Sequence, residues 1–106
     1  MKVKLKPLTV NQCWRGRRFK TAKYEAYEVI LLLLLPKKKI PKGNLHLDIV
    51  FGVSSKLSDI DNPLKPFIDI LQKKYGFNDR DIFKLTVEKE FVNKGKEFID
   101  FEIKEL

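Results

Sequence analysis

The sequence predicts a small α/β (α+β) domain: a mixed β-sheet carrying two helices. Three observations support this. Residues 45–53 read Leu-His-Leu-Asp-Ile-Val-Phe-Gly-Val. Leu45, Leu47, Ile49, Phe51 and Val53 then fall on one side and His46, Asp48 and Val50 on the other, the alternation of a half-buried strand. Leu64, Phe67, Ile68 and Leu71 recur at helical spacing, so residues 63–74 should form a helix with one apolar face. Finally, 106 residues suit one domain that buries roughly two-thirds of its extended surface. We therefore read residues 1–106 as a single unit.

The other elements follow in chain order. Residues 3–5 alternate weakly and should form a short strand. Residues 6–20 contain Pro7, Asn11, Gly16 and the basic group Arg15, Arg17, Arg18 and Lys20, the composition of a loop or hairpin. Thr21 can accept a first-turn N–H, and Ala22, Lys23, Glu25, Ala26 and Glu28 favour helix, which predicts a helix over 22–33. The run of leucines after it blurs that end. Residues 54–61 are polar. Asn62 is expected to cap the second helix, with Pro63 at its first position. Pro66 fits badly there, because an amide at the fourth helical position would donate to the cap carbonyl; the start is therefore distorted or displaced. Gly76 and Asn78 mark a turn over 75–81. Residues 82–90 alternate moderately. Residues 98–103 alternate well, with Ile99, Phe101 and Ile103 opposed to Phe98, Asp100 and Glu102. Asn93-Lys94-Gly95-Lys96 between these strands signals a hairpin. Both helices can pack on the sheet, leaving its other face to solvent or a partner.

Composition narrows the function classes. Lys and Arg number 22 against 14 Asp and Glu, a formal charge of +8 with pI near 9.6. A hydrophobic fraction of 43% with eight Phe excludes a disordered basic tail. One Cys forms no internal disulfide, and one Cys with one His builds no zinc-finger ligand set. A hydrolase triad would rest entirely on His46. The charged N-terminus has no apolar h-region behind it, so no signal peptide is expected. The apolar run 29–35 is far shorter than the twenty or so residues that span a bilayer. No membrane partner is expected, and a cytoplasmic location fits.

Charge is distributed unevenly. Residues 1–46 carry 12 basic and 2 acidic side chains, and residues 47–106 carry 10 and 12. The first part reads as a polyanion-binding surface with Trp14, Phe19, Tyr24 and Tyr27 interleaved, suited to phosphates rather than bases. The plainer alternative is a set of solvated lysines that keeps a small domain soluble.

A second constellation is acidic. Asp59 and Asp61 precede the second helix, Lys65 and Asp69 lie on one of its faces, and Asp79 and Asp81 follow its end. Asp79 reaches the others only if the chain folds back. Clustered carboxylates repel, so a cluster favours a hard cation such as Mg²⁺, which beside phosphate polarises the phosphoryl oxygen and lowers the pKa of bound water. The alternative is ordinary: carboxylates before a helix are favoured by its dipole.

The run Asp59-Ile60-Asp61-Asn62, Lys65, Asp69, Leu71, followed by a Gly-aromatic turn and Asp79 before Ile82, resembles the RusA family of Holliday-junction resolvases. The N-terminal strand, the loop reaching Asn11, the group Arg15 to Arg18, the helix led by Thr21 with Tyr27, and Lys89 are similar too. The likeness spans roughly residues 3–90. It implies a RusA-like dimer, a magnesium-dependent endodeoxyribonuclease that resolves four-way (Holliday) DNA junctions by paired symmetric nicks. By the same resemblance, Asp59, Asp61 and Asp79 hold Mg²⁺ and Lys65 is the catalytic lysine. Arg15, Arg17, Arg18, Lys20 and Lys23 would bind the junction. The family often carries two consecutive acids where this chain has Asn78-Asp79, and Asp79 aligns with the second. The alternative is a non-catalytic branched-DNA or RNA-binding protein.

Overall fold

The computed structural model describes residues 1–15 and 19–106; Gly16, Arg17 and Arg18, and the side chains of Arg15 and Phe19, lie outside the described residues. The strands are β1 (Lys2–Val3), β2 (Trp14–Arg15), β3 (Phe19–Lys20), β4 (Leu45–Val53), β5 (Ile82–Phe91) and β6 (Phe98–Glu105). The helices are α1 (Ala22–Leu34) and α2 (Leu64–Tyr75). Four strands form one mixed sheet in the order β1-β6-β4-β5, and β2 and β3 make a separate antiparallel ribbon. The small mixed α+β architecture is thus as expected, and no helix among the described residues is long and apolar enough to cross a membrane.

Residues at the start of α1 fix it as the sequence implies. Thr21 Oγ1 accepts the Tyr24 N–H at 3.1 Å, a contact worth about 1 kcal/mol against alanine. The same hydroxyl donates to the Gln12 carbonyl, tying the helix to the 3-10 turn Val10–Gln12. Tyr24, Tyr27 and Leu31 are the buried residues of α1, so Tyr27 serves packing. The leucine run is helical to Leu34.

Helix α2 begins one residue later than expected, at Leu64. Asn62 does not cap it; its amide donates to Asp59 Oδ2 at 3.3 Å instead. The later start removes the difficulty with Pro66, which becomes the third helical residue. Its missing N–H is one of those that no helix satisfies. Gly76 ends α2 with φ of 76°, where a side chain would be strained.

The predicted hairpin is where the structure departs most from expectation. β5 pairs parallel with β4, whereas β6 pairs antiparallel with β4 along its other edge. The turn itself exists, with Lys96 N–H donating to the Asn93 carbonyl at 2.9 Å and Gly95 at φ 91°. It belongs to a connection that crosses the end of β4, where Val92 N–H donates to the Val53 carbonyl at 2.8 Å. Turn residues set local chain direction but not which strand is joined. Here the β4-α2-β5 crossover returns the chain parallel to β4, and the better-alternating β6 takes the more buried place.

Side-chain alternation fixes the layers. Leu45, Leu47, Ile49 and Phe51 of β4 and Ile99, Phe101 and Ile103 of β6 are buried beneath the helices. Phe67 of α2 meets Phe51 and Phe101 edge-on, with ring centroids 6.0 and 5.4 Å apart. The opposite sheet face carries Asp48, Asp100, Glu102 and Lys104. Lys104 lies 3.6 Å from Asp48 and 3.8 Å from Glu102, and the Met1 amino group 3.3 Å from Asp100. Phe98 also lies on this face, covering Gly52 so closely that a Cβ there would clash with its ring. With its acids partly neutralised and no cationic excess, the face does not suit a polyanion.

Candidate functional site

The acidic residues divide between two places. Asp59 and Asp61 are exposed on the loop between β4 and α2. That loop is held from three directions. Val10 N–H donates to the Asn62 carbonyl at 2.9 Å, Leu64 N–H to the Asp61 carbonyl at 3.1 Å, and Lys89 Nζ of β5 to the Ser58 carbonyl at 2.6 Å. Backbone groups do most of this anchoring, so the Asp61 carboxylate is free to meet solvent.

Asp79 does fold back. It opens the 3-10 turn Asp79–Asp81, and its N–H donates to Gln72 Oε1 at 2.9 Å. Lys65, Asp69 and Gln72 are spaced i, i+4, i+7 and therefore share one face of α2. Lys65 Nζ lies 2.8 Å from Asp69 Oδ1 and 3.9 Å from Asp79 Oδ2. The hydrogen bond to Asp69 is the main reason the Lys65 ammonium is held above its ordinary pKa; desolvation, the next largest effect, opposes it, and the charges of Asp69 and then Asp79 add to the rise. One cation thus allows two carboxylates to approach. Lys65 and Asp79, with Arg80, Ile68, Phe83 and Leu85, line an open groove between α2 and the start of β5.

Asn78 plays a structural part. Its side-chain oxygen accepts the Arg80 N–H at 3.0 Å and caps the turn, as an aspartate at that position would. Gln72 was not singled out by sequence reasoning, although its spacing from Asp69 was available once Asp79 is known to turn back. Arg80 was missed because an arginine beside two aspartates carries no pattern of its own.

The three acids implied as metal ligands are not brought together. Among the described residues no group of three His, Cys, Asp or Glu side chains is arranged to hold a metal ion. Lys65 joins Asp69 and Asp79, while Asp59 pairs with Asn62. The ligand set that the resemblance implies for Mg²⁺ is therefore not preassembled among the described residues.

The basic region is only partly described. Arg17 and Arg18 lie outside the described residues, as does the side chain of Arg15. Lys23 is exposed. Lys20 is engaged: its Nζ lies 3.3 Å from Glu28 Oε2 and 5.2 Å from the Tyr24 ring centroid. Trp14 meets Tyr24 edge-on at 5.8 Å. Glu28 also accepts from Lys73 Nζ of α2 at 2.6 Å, so this carboxylate joins the ribbon to both helices.

Burial pushes the Glu28 carboxyl up, but hydrogen bonds from Lys73 and Lys20 and their charges outweigh it and hold the pKa below its ordinary value. A carboxylate depressed on folding adds stability above its unfolded pKa and loses it as pH falls through the folded value. Glu28→Gln should therefore destabilise the protein to urea at pH 7. The deficit should shrink in acid as pH falls through the lowered folded-state pKa, and vanish once the carboxyl is protonated in folded and unfolded chain alike. An equal deficit at pH 7 and in acid would mean that the charge of Glu28 is not what matters.

The chain matches no family model and no curated protein.

Proposed function

We propose that this protein is a cytoplasmic, RusA-like, dimeric structure-selective endodeoxyribonuclease acting on four-way DNA junctions with magnesium. The observation that carries the reading is the return of Asp79 to Lys65, at 3.9 Å. That contact links residues 14 apart in sequence and has no role in the core. It joins the lysine and the later aspartate that the resemblance pairs, on the helix whose preceding loop carries Asp59 and Asp61. The Asn78 cap favours Asp79 as the acid that matters in this turn.

In this reading Lys65 stabilises negative charge developing at a scissile phosphate, and Asp69 orients its ammonium group. Asp59, Asp61 and Asp79 supply the acidic function. Magnesium, when bound, would polarise the phosphoryl oxygen and lower the pKa of a water. Arg15, Arg17, Arg18, Lys20 and Lys23 contact the DNA backbone, with Lys20 first exchanging Glu28 for phosphate. The Arg17→Glu, Arg18→Glu double variant should weaken junction binding and flatten its dependence on salt, because fewer counterions are released. A gel-shift titration at several salt concentrations reads both effects, and an unchanged salt slope would remove these arginines from the interface.

The separation of Asp79 from Asp59 and Asp61 favours one alternative, a protein that binds branched DNA without cutting it. Incubating the protein with a labelled four-way junction and a linear duplex, with and without Mg²⁺, decides between the two. Symmetric nicks in the junction alone, dependent on Mg²⁺, support the nuclease. Tight binding of the junction without nicks supports the binder. No preference for the junction overturns both.

A further inference from the structure

The groove between α2 and the start of β5 contains a backbone irregularity that the acidic residues do not explain. Leu45 of β4 pairs with Ile82 and His46 with Lys84, so β5 takes two steps where β4 takes one. Phe83 is the extra residue of this β-bulge and has no partner on β4. Counted back from Leu85, which sits beside Leu47 on the helix face, strict alternation would send Ile82 to the open face. The inserted residue lets Ile82 pack against the core and keeps Phe83 on the helix side as well. Both line the groove, together with Leu85 and with Ile68 of α2. Bulges are uncommon between parallel strands, and where they occur beside a functional site they re-aim a side chain.

The fold makes little use of the ring so placed. Phe83 is 66% and Leu85 43% exposed, although burying a phenylalanine is among the larger contributions a side chain makes to stability. Its surroundings are charged. Lys65, Arg80 and Lys84 line the same groove against one carboxylate, Asp79. The groove offers about 480 Å³, the size of a small-ligand cleft. An apolar protein segment laid there would bury these cations without partners. An exposed aromatic ring among cations instead suits unpaired nucleic acid, whose bases stack on the ring while the backbone meets the positive charge.

We infer that Phe83 is a base-stacking residue that captures a nucleobase unpaired at the exchange point of a DNA junction, with Arg80 and Lys84 on the flanking phosphates. In a continuous duplex the flat faces of the bases are covered by their neighbours, and only base edges and backbone are within reach. Taking a base out of the stack costs least where pairing is already broken. A ring beside Lys65 therefore adds affinity for branched DNA and none for linear duplex. Selectivity for structure resides in Phe83, and general affinity in the basic residues of the N-terminal part. This deepens the proposed function and rests on its DNA-binding part, but not on cleavage.

Phe83→Ala, Phe83→Leu and Phe83→Tyr are compared with the wild type by gel shift on a four-way junction and on a linear duplex, without Mg²⁺. Because Phe83 is mostly exposed, the urea midpoint should be the same throughout. Alanine and leucine should lower junction affinity about tenfold, the order that stacking one base carries, and leave duplex affinity unchanged. Tyrosine keeps the flat ring and should bind as the wild type does. A junction carrying 5-iododeoxyuridine at the exchange point should cross-link to Phe83 on irradiation, read by peptide mass, and should lose that cross-link in F83L. No junction preference in the wild type would overturn the proposed function and this inference together. Wild-type junction affinity in F83A or F83L, its loss in F83Y, or a cross-link mapped outside the groove would overturn this inference alone. Equal losses on junction and duplex would overturn it too, making Phe83 a general contact with no part in selectivity.

Discussion

Asp61→Asn should abolish junction cleavage while leaving the fold and junction affinity in place. The substitution keeps side-chain size and removes one negative charge. Asp61 is exposed, and its main-chain carbonyl accepts the Leu64 N–H, as that of an asparagine also would. The stability change should therefore stay within about 0.5 kcal/mol. If the carboxylate acts at the reacting phosphate, cleavage falls by at least about 100-fold, or roughly 2.7 kcal/mol of barrier. Binding should hold or tighten, since a charge repelling phosphate is gone. Single-turnover cleavage of a labelled junction beside a gel shift separates the two effects. Cleavage at the wild-type rate would exclude Asp61 from the site. Parallel loss of binding and cleavage would point to damage of the loop rather than of the chemistry.

Phe67→Ala should have the largest effect on folding. Phe67 is fully buried, and its ring is the one that meets both Phe51 of β4 and Phe101 of β6. Truncation opens a cavity beneath α2 that three rigid elements cannot close, at a cost of about 3–5 kcal/mol. That is a large share of the roughly 5–15 kcal/mol typical of a domain. Urea unfolding should show a much lower midpoint with an unchanged slope. A loss below about 1 kcal/mol would mean that α2 does not pack on the sheet through this ring. The helix that positions Lys65 and Asp69 is the one held by Phe67, so a milder Phe67→Leu variant should also lose activity on warming, in step with unfolding.

The local elements were legible because their signals are short-range. The alternation from Leu45 to Val53 depends on the two-residue strand period, and the structure has β4 at these residues. Thr21 caps α1 because a hydroxyl three residues before an amide needs no distant partner. Even the displaced start of α2 is local, since Pro63 and Pro66 compete for positions and the later start suits both. The Lys65–Asp69 pair was equally accessible, as an i, i+4 contact on one helix.

Long-range pairing was not legible. Asn93-Lys94-Gly95-Lys96 makes a turn, but whether it joins neighbouring strands depends on which strand wins the edge of β4. That competition is settled by burial over the whole sheet. Likewise, a carboxylate at Asp79 carries no mark of being near Lys65, whereas Gln72, α2 and the return toward β5 bring it there. The separation of Asp59 and Asp61 from Asp79 has the same origin. Residues whose charges suggest one cluster are held on two loops by backbone hydrogen bonds that no composition reveals. Periodicity and capping thus determine which segments become strands and helices, because those preferences act within a few residues. Strand order, the free edge of β5 and the grouping of the acids were decided only in three dimensions, where burial and hydrogen bonding choose among partners that sequence patterns leave equivalent.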